Sequence, residues 1–281
     1  MRFHSDEKQI LARAPMGKWC VFEGAEATGK TSAQLATHAR MGRYPVGWMT
    51  HSEPTRFGSS GPPKACVGPG DALRNIMQSK PWTQITQTEN AQCLDFALRD
   101  RHMSMARVVE ELGNGNSVLQ SRTYISTVAL QVWLLEAHAL YEKFGYGHGI
   151  VEPRLRARCA LEKQLLSKCE RLLHAQMSLF GVPDVMFYFD HPEMDPCELA
   201  EVLSDRIGER DESLVRADRA RLTLVIEGYR HVMPMFERIA AKLYEVKLVP
   251  LKSRVVGVDC LASRREIVEQ IERVCVGLCV H

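Results

Sequence analysis

A stretch of eleven residues near the start of the chain, residues 22–32, has the composition of a phosphate-binding loop. Gly24 and Gly29, followed by Lys30 and Thr31, give the spacing G-x-x-x-x-G-K-[ST] between an apolar run and a helix-compatible run. Glycine lets backbone amides turn toward phosphates, the next helix presents its positive end, Lys30 adds a charge, and the Thr31 hydroxyl can ligate Mg²⁺. The loop therefore predicts a bound magnesium nucleotide. The residues expected to contact it are Gly24, Ala25, Glu26, Ala27, Thr28, Gly29, Lys30, Thr31 and Ser32.

Strand-like and helix-like segments alternate along the chain, which predicts an α/β fold built on a parallel sheet. Parallel strands gather ligands beyond their carboxyl ends. Lys30, Glu53 and Arg122 each lie beyond a predicted strand, so we expect them to converge on one crevice. The strand-like runs are residues 19–21, 47–51, 117–120, 185–189, 246–249 and 255–259. The longer helix-like runs are residues 32–40, 89–112, 155–180, 196–207, 222–244 and 263–276, with an apolar helix from residue 126 or 127 to 144.

Composition narrows the class of partner. The 281 residues carry a formal net charge of +2, which gives no overall case for nucleic-acid binding and favours small-molecule substrates. The sequence lacks a run of about 20 apolar residues that would predict a membrane span, and residues 1–14 lack the apolar core of a secretory signal. Nine cysteines without a C-x-x-C pair suit reduced thiols. We expect a cytoplasmic protein, with residues 1–14 as an N-terminal extension and 15–281 as a single domain.

A dense charged stretch at residues 205–212 has two interpretations. Taken alone, it predicts a solvated surface. Beside a phosphate loop it also fits a mobile lid, because phosphoryl transfer needs arginines that close over the donor phosphates and exclude water. Arg206 and Arg210 lie one helical turn apart here, and we expect the lid at about residues 204–218.

Motifs spread over the chain resemble those of the thymidylate kinase family of P-loop nucleoside monophosphate kinases. The resemblance covers residues from about 18 to 276. It implies a three-layer P-loop kinase fold with a parallel five-stranded sheet flanked by helices and a mobile lid. The segments that carry it are F-E-G at the start of the phosphate loop, E-P-T at 53–55, L-R at 73–74, F-A-L-R-D-R-H at 96–102, S-R-T-Y-I-S-T-V-A-L-Q at 121–131, and Asp259 near the last strand.

The resemblance implies an enzyme that transfers the γ-phosphoryl group of ATP to a pyrimidine deoxynucleoside monophosphate, above all dTMP or a 5-substituted dUMP. ATP and Mg²⁺ would be its cofactors, with Thr31 and Glu53 as metal ligands, and a homodimer its oligomeric state. The residues implied in catalysis are Lys30, Arg122, Arg206 and Arg210. Those implied in substrate binding are Glu26, Glu53, Arg74, Phe96, Arg101 (or Arg99 in its place), Arg122, Thr127 and Gln131.

Two alternatives stay open, and only the first of them comes from a departure from the family pattern. Ser121 stands where the family usually has an aspartate that organises Mg²⁺ and the following arginine. A catalytically weak or silent nucleotide-binding protein is therefore one alternative. The other is a deoxynucleoside kinase acting on thymidine, in which Glu53 would be the base that deprotonates the 5′-hydroxyl.

Overall fold

The structure is a computed structural model that describes residues 17–44, 47–52, 68–79, 84–144, 152–208, 219–249 and 252–279. The described residues form an α/β fold in which a five-stranded, all-parallel sheet is flanked by helices, so the predicted class is confirmed. The strands are β1 (Trp19–Gly24), β2 (Trp48–Ser52), β3 (Ser117–Ser121), β4 (Val185–Asp190) and β5 (Arg254–Asp259).

The helices lie within a few residues of their predicted positions. A capping box fixes the start of the long third helix, because the Thr86 side chain accepts the amide of Glu89 while the Glu89 carboxylate accepts the amide of Thr86. In the described ranges the helices are α1 (Lys30–Met41), α2 (Pro69–Ser79), α3 (Gln87–Gly113), α4 (Tyr124–Thr127), a π-helix (Val128–Trp133), α5 (Leu134–Phe144), α6 (Glu152–Phe180), α7 (Pro196–Gly208), α8 (Arg219–Glu245) and α9 (Arg264–Cys279).

Strand β1 lies at the centre of the sheet, whose order is β2-β3-β1-β4-β5. All of its residues are buried, because β3 and β4 pair with its two edges and the main core packs on its faces. The strand order reverses at β1, and open parallel sheets bind ligands beyond the carboxyl ends of the strands at such a reversal. The predicted phosphate loop follows β1 directly, so the topology places it at this position.

The predicted strand at residues 246–249 is wrong. These residues form a turn after α8, in which the amides of Leu248 and Val249 donate to the carbonyl oxygen of Leu243 at 2.9 and 3.4 Å. Lys247 adopts the left-handed conformation, with φ 58°, that often closes a helix. A short apolar run has no periodicity that separates a strand from a helix end, and here the hydrogen bonds to α8 decide.

The predicted apolar helix ending at residue 144 differs at its start. It begins at Tyr124, because the Thr123 side chain caps it, and it then widens into the π-helix. The fully buried Trp133 of the π-helix packs so closely on Gly228 of α8 that a Cβ there would lie 2.7 Å from its Cδ1. Sequence periodicity does not reveal such a local widening.

Among the described residues, two hydrophobic clusters hold these elements together. The main core joins the sheet to the surrounding helices. A smaller cluster, built on Leu73, Cys93 and Ala97, joins α2 to α3 and is separate from the main core. Among the described helices, none combines the length and the apolar character needed to cross a membrane.

Candidate functional site

The loop between β1 and α1 has the backbone geometry of an anion cradle. Gly24 has φ 141°, and a Cβ there would lie 2.5 Å from the carbonyl oxygen of Phe189, so only glycine fits. Gly29 has φ 87° and directly precedes α1. The amides of residues 26–29 donate to no other backbone group in the described part of the chain. Together with the first turn of α1, they are donors available to an anion.

Ala27 is strained within this loop. Its φ of 59° lies in the left-handed region, which costs a residue with a Cβ about 1–2 kcal/mol. The loop keeps this conformation although the side chain opposes it, because the neighbouring glycines and the start of α1 fix the path of the chain. The strain belongs to the folded loop and disappears on unfolding.

Lys30 is buried at the start of α1 and turns back into the loop. Its Nζ donates to the carbonyl oxygen of Ala25 and, at 3.0 Å, to the Thr28 hydroxyl. Burial and the charge of Arg122 lower the pKa of Lys30 to about 7, although Glu26 and Glu23 oppose the shift. An anion placed beside Nζ would restore the charged form.

Glu26, in the middle of the loop, is held by cations. Its Oε1 accepts a hydrogen bond from Arg221 of α8 at 2.8 Å, whereas its buried Oε2 has no hydrogen-bond partner among the described residues. Burial alone would raise the pKa of this carboxyl group, but the charges of Arg221, Arg122 and Lys30 lower it to about 2. Glu26 is therefore a carboxylate at neutral pH, with one oxygen left for a donor.

Arg122 directly follows β3 and has a left-handed backbone, with φ 70°. Its amide donates to the carbonyl oxygen of Phe22 at 3.0 Å. Its charge acts on both Lys30 and Glu26, so the predicted convergence of Lys30 and Arg122 beyond neighbouring strands is found. Glu53, the third member of that prediction, lies outside the described residues.

A cavity of about 320 Å³ opens beside the loop. Arg206 of α7 lines it and donates to the carbonyl oxygen of Cys260 at 2.8 Å, which ties α7 to the end of β5. Of the predicted lid, residues 204–208 are the last turn of α7, and residues 209–218, including Arg210, lie outside the described part. The other residues lining the cavity are Ala27, Thr28, Gly29, Ser32, Ala33, Cys260, Ala262, Arg264 and Ile267.

The structure brings only some of the predicted substrate residues on the helices into contact with each other. Arg101 of α3 is 2% exposed, and its guanidinium donates to the Thr127 hydroxyl of α4 at 2.9 Å. Arg99 is instead exposed and forms a 3.0 Å ion pair with Asp95, so Arg101 is the buried cation of the two. Gln131 is buried in the π-helix.

Phe96 belongs to a different environment. It is half-buried on α3, against the small cluster shared with α2. Arg74 lies on α2, and its side chain is not among the described groups.

Of the predicted magnesium ligands, Thr31 is exposed at the start of α1. Within the described ranges, no three His, Cys, Asp or Glu side chains form a group that could hold a metal ion.

Sequence reasoning missed Glu23, Arg221 and Tyr229. Glu23 could have been recognised from the sequence, because a carboxylate within an apolar strand is rarely buried without partners. Arg221 and Tyr229 could not have been recognised from the sequence, since both lie on α8 and meet the predicted phosphate loop only through folding.

In comparisons with known proteins, no family model matches the chain, and no curated protein matches it.

Proposed function

We propose that this chain is a thymidylate kinase-like phosphotransferase with a three-layer P-loop kinase fold. It transfers the γ-phosphoryl group of ATP to a pyrimidine deoxynucleoside monophosphate, in the reaction dTMP + ATP → dTDP + ADP, or to a 5-substituted dUMP. The observation that carries the proposal is the cluster of Lys30, Arg122 and Arg221 around Glu26, in and beside a loop with open amides. Such a cluster suits a phosphoryl group that carries several negative charges in transfer.

The cationic side chains have distinct tasks in this reaction. Lys30 would exchange its hydrogen bonds to Ala25 and Thr28 for phosphate oxygens of the donor. Arg122 would contact the transferred group and offset its charge. Mg²⁺, held by Thr31 and the nucleotide, supplies further neutralisation when bound. The acceptor is already an anionic phosphate, so no side chain has to act as a general base.

The cavity beside the loop supports the position of the donor. It adjoins Thr28 and Gly29, so a nucleotide whose phosphates occupy the loop can place its base there. The Arg206 guanidinium in the cavity wall can stack on an aromatic base. We therefore assign Arg206 to base binding, in place of the phosphate contact expected from the sequence.

Three residues are proposed to form the acceptor side. The buried Oε2 of Glu26 can accept a hydrogen bond from a sugar hydroxyl. Arg101 provides a buried positive charge beside Thr127. Phe96 is the aromatic residue proposed to stack on the base.

We further propose that the enzyme acts on small nucleotides, as a homodimer in the cytoplasm.

The proposal is tested by incubating the purified protein with Mg-ATP and one acceptor at a time: dTMP, dUMP, 5-hydroxymethyl-dUMP or thymidine. Release of ADP and the phosphorylated product are measured. We expect turnover with dTMP or a 5-substituted dUMP. Turnover with thymidine alone would establish the deoxynucleoside kinase instead. Binding of ATP without turnover on any acceptor would establish the silent protein that Ser121 suggests.

A further inference from the structure

Glu23, the residue before Gly24, is a buried carboxylate shared by three segments of the chain. It is fully buried in β1. Its Oε1 accepts hydrogen bonds from the amide and, at 2.7 Å, the hydroxyl of Thr123. Its Oε2 accepts from the Ser126 hydroxyl at 2.7 Å and from the Tyr229 hydroxyl at 3.2 Å. A carboxylate removed from water needs such a complete set of donors, because an unsatisfied buried charge is costly.

These hydrogen bonds enclose the strained backbone of Arg122. A φ of 70° is unfavourable for arginine and persists only where the surroundings fix it. On the amino side, the Arg122 amide donates to Phe22. On the carboxyl side, the next residue, Thr123, is bound to Glu23 through both its amide and its hydroxyl. Consecutive residues of β1 therefore hold the backbone on both sides of Arg122.

Helix α8 contributes further hydrogen bonds, one to Glu23 and one to Glu26 in the loop. The Tyr229 hydroxyl contacts both Glu23 and, at 2.7 Å, Ser126. Two turns earlier on the same helix, Arg221 binds Glu26. Burial, followed by the charge of Glu23, raises the pKa of Tyr229 well above its usual range, so the hydroxyl keeps its proton. Helix α8 is thus attached at two points to the segment that contains Glu23 and the phosphate loop.

We infer that Glu23, together with Tyr229, is a positioning unit that holds Arg122 in its left-handed conformation and thereby aims its guanidinium at the phosphate loop. This inference rests on the proposed function for its effect on turnover, because Arg122 is the cation assigned to the transferred phosphoryl group. Neither Glu23 nor Tyr229 has to touch a substrate. Loosening this unit should affect the rate of transfer more than the binding of ATP, which the loop and Lys30 provide.

The test is a double-mutant cycle of Tyr229→Phe and Arg122→Ala. Tyr229→Phe removes one hydroxyl from the buried unit and keeps the ring. We expect it to lower kcat about tenfold with the KM for ATP changed less than about twofold. In the Arg122→Ala background it should change the residual kcat less than about twofold, because the residue that it positions is already absent. Glu23→Gln is a second variant expected to act in the same direction.

Tyr188→Phe is the matched control. The Tyr188 hydroxyl also donates to a carboxylate, that of Asp190 at 3.1 Å. Its ring packs against the Tyr229 ring, with 6.4 Å between the centroids, so Tyr188→Phe keeps this contact and removes a hydroxyl that does not bind Glu23. It should leave kcat unchanged. Equal losses from Tyr229→Phe in both backgrounds, or no loss in the otherwise unchanged protein, would overturn the positioning role.

Amide hydrogen exchange measured by mass spectrometry gives a readout that does not need activity. Tyr229→Phe should accelerate exchange in peptides covering residues 121–126, whereas Tyr188→Phe should not. If the unchanged protein shows no turnover with any acceptor, the proposed function fails, and exchange still decides this inference. Faster exchange at 121–126 would support it, and unchanged exchange would refute it.

Discussion

The proposed donor side and the proposed acceptor side of the candidate site are built in different ways. The donor side is one continuous segment, residues 24–31, whose amides and Lys30 come from adjacent positions in the chain. The acceptor side takes Arg101 from α3 and Thr127 from α4, and Phe96 packs on a cluster separate from the main core. The spacing that predicts a phosphate loop is therefore visible in the sequence alone, whereas the proposed acceptor side depends on how helices pack.

The cations of the two sides also lie in separate parts of the fold. Lys30, Arg122 and Arg221 surround Glu26 at the loop. On the acceptor side, the buried Arg101 donates to a neutral hydroxyl. We therefore expect that the two sides can be disabled separately.

Arg101→Met should disable the acceptor side alone. Methionine keeps much of the buried volume but removes the positive charge and the hydrogen bond to Thr127. We expect the KM for dTMP to rise about a hundredfold, since a charged hydrogen bond contributes about 1.5–3 kcal/mol. The KM for ATP should change less than about twofold. Steady-state kinetics with each substrate varied in turn measures both.

Arg99→Met is the control for this prediction. It removes an arginine two residues away, on the same helix, that is exposed and paired with Asp95. We expect both KM values to stay as they are. If Arg99→Met raised the KM for dTMP and Arg101→Met did not, Arg99 would be the acceptor cation and the contrast between buried and exposed arginine would be wrong.

The donor side should show a pH dependence that originates in Lys30. Its pKa of about 7 without nucleotide means that the amine is charged below pH 7 and increasingly neutral above it. Phosphates beside Nζ raise this pKa, so binding takes up a proton above pH 7. The association constant for MgADP should therefore fall with rising pH, by up to about tenfold per unit between pH 7 and 9.

Titration calorimetry at pH 7, 8 and 9, in buffers of different ionisation enthalpy, measures both the affinity and the proton uptake. Lys30→Arg is the control, because a guanidinium stays charged over this range. Its affinity should be independent of pH. An equal slope in both proteins would assign the titration to another group.

Ala27→Gly should relieve strain on the donor side with a small effect. Glycine adopts φ 59° without the steric cost of a Cβ, although it loses more entropy on folding. The two terms leave an expected gain of about 0.5 kcal/mol in the free energy of unfolding, measured by urea denaturation. The control Ala36→Gly, within α1, should cost about 1 kcal/mol. A loss at both positions would mean that the alanine at residue 27 is not strained.

The sequence by itself determined the α/β class and the parallel sheet, and it located the segment that we propose binds phosphate. These features depend on patterns within short stretches of chain: apolar runs, helical periodicity and the spacing of Gly24, Gly29 and Lys30. The predicted strand at 246–249 failed where the pattern was too short to distinguish a strand from a helix end. No local sequence pattern indicates that the helix widens into a π-helix at residues 128–133.

Only the tertiary structure decided which side chains accompany the loop. Arg221 and Glu26 lie 195 residues apart in sequence, and Tyr229 and Glu23 lie 206 apart. Their pairing follows from the packing of α8 beside β1 and α4, which no spacing in the sequence records. The left-handed backbone of Arg122 likewise follows from hydrogen bonds between neighbouring strands. The local spacing of residues predicts the phosphate loop, and long-range packing positions the charged side chains around it.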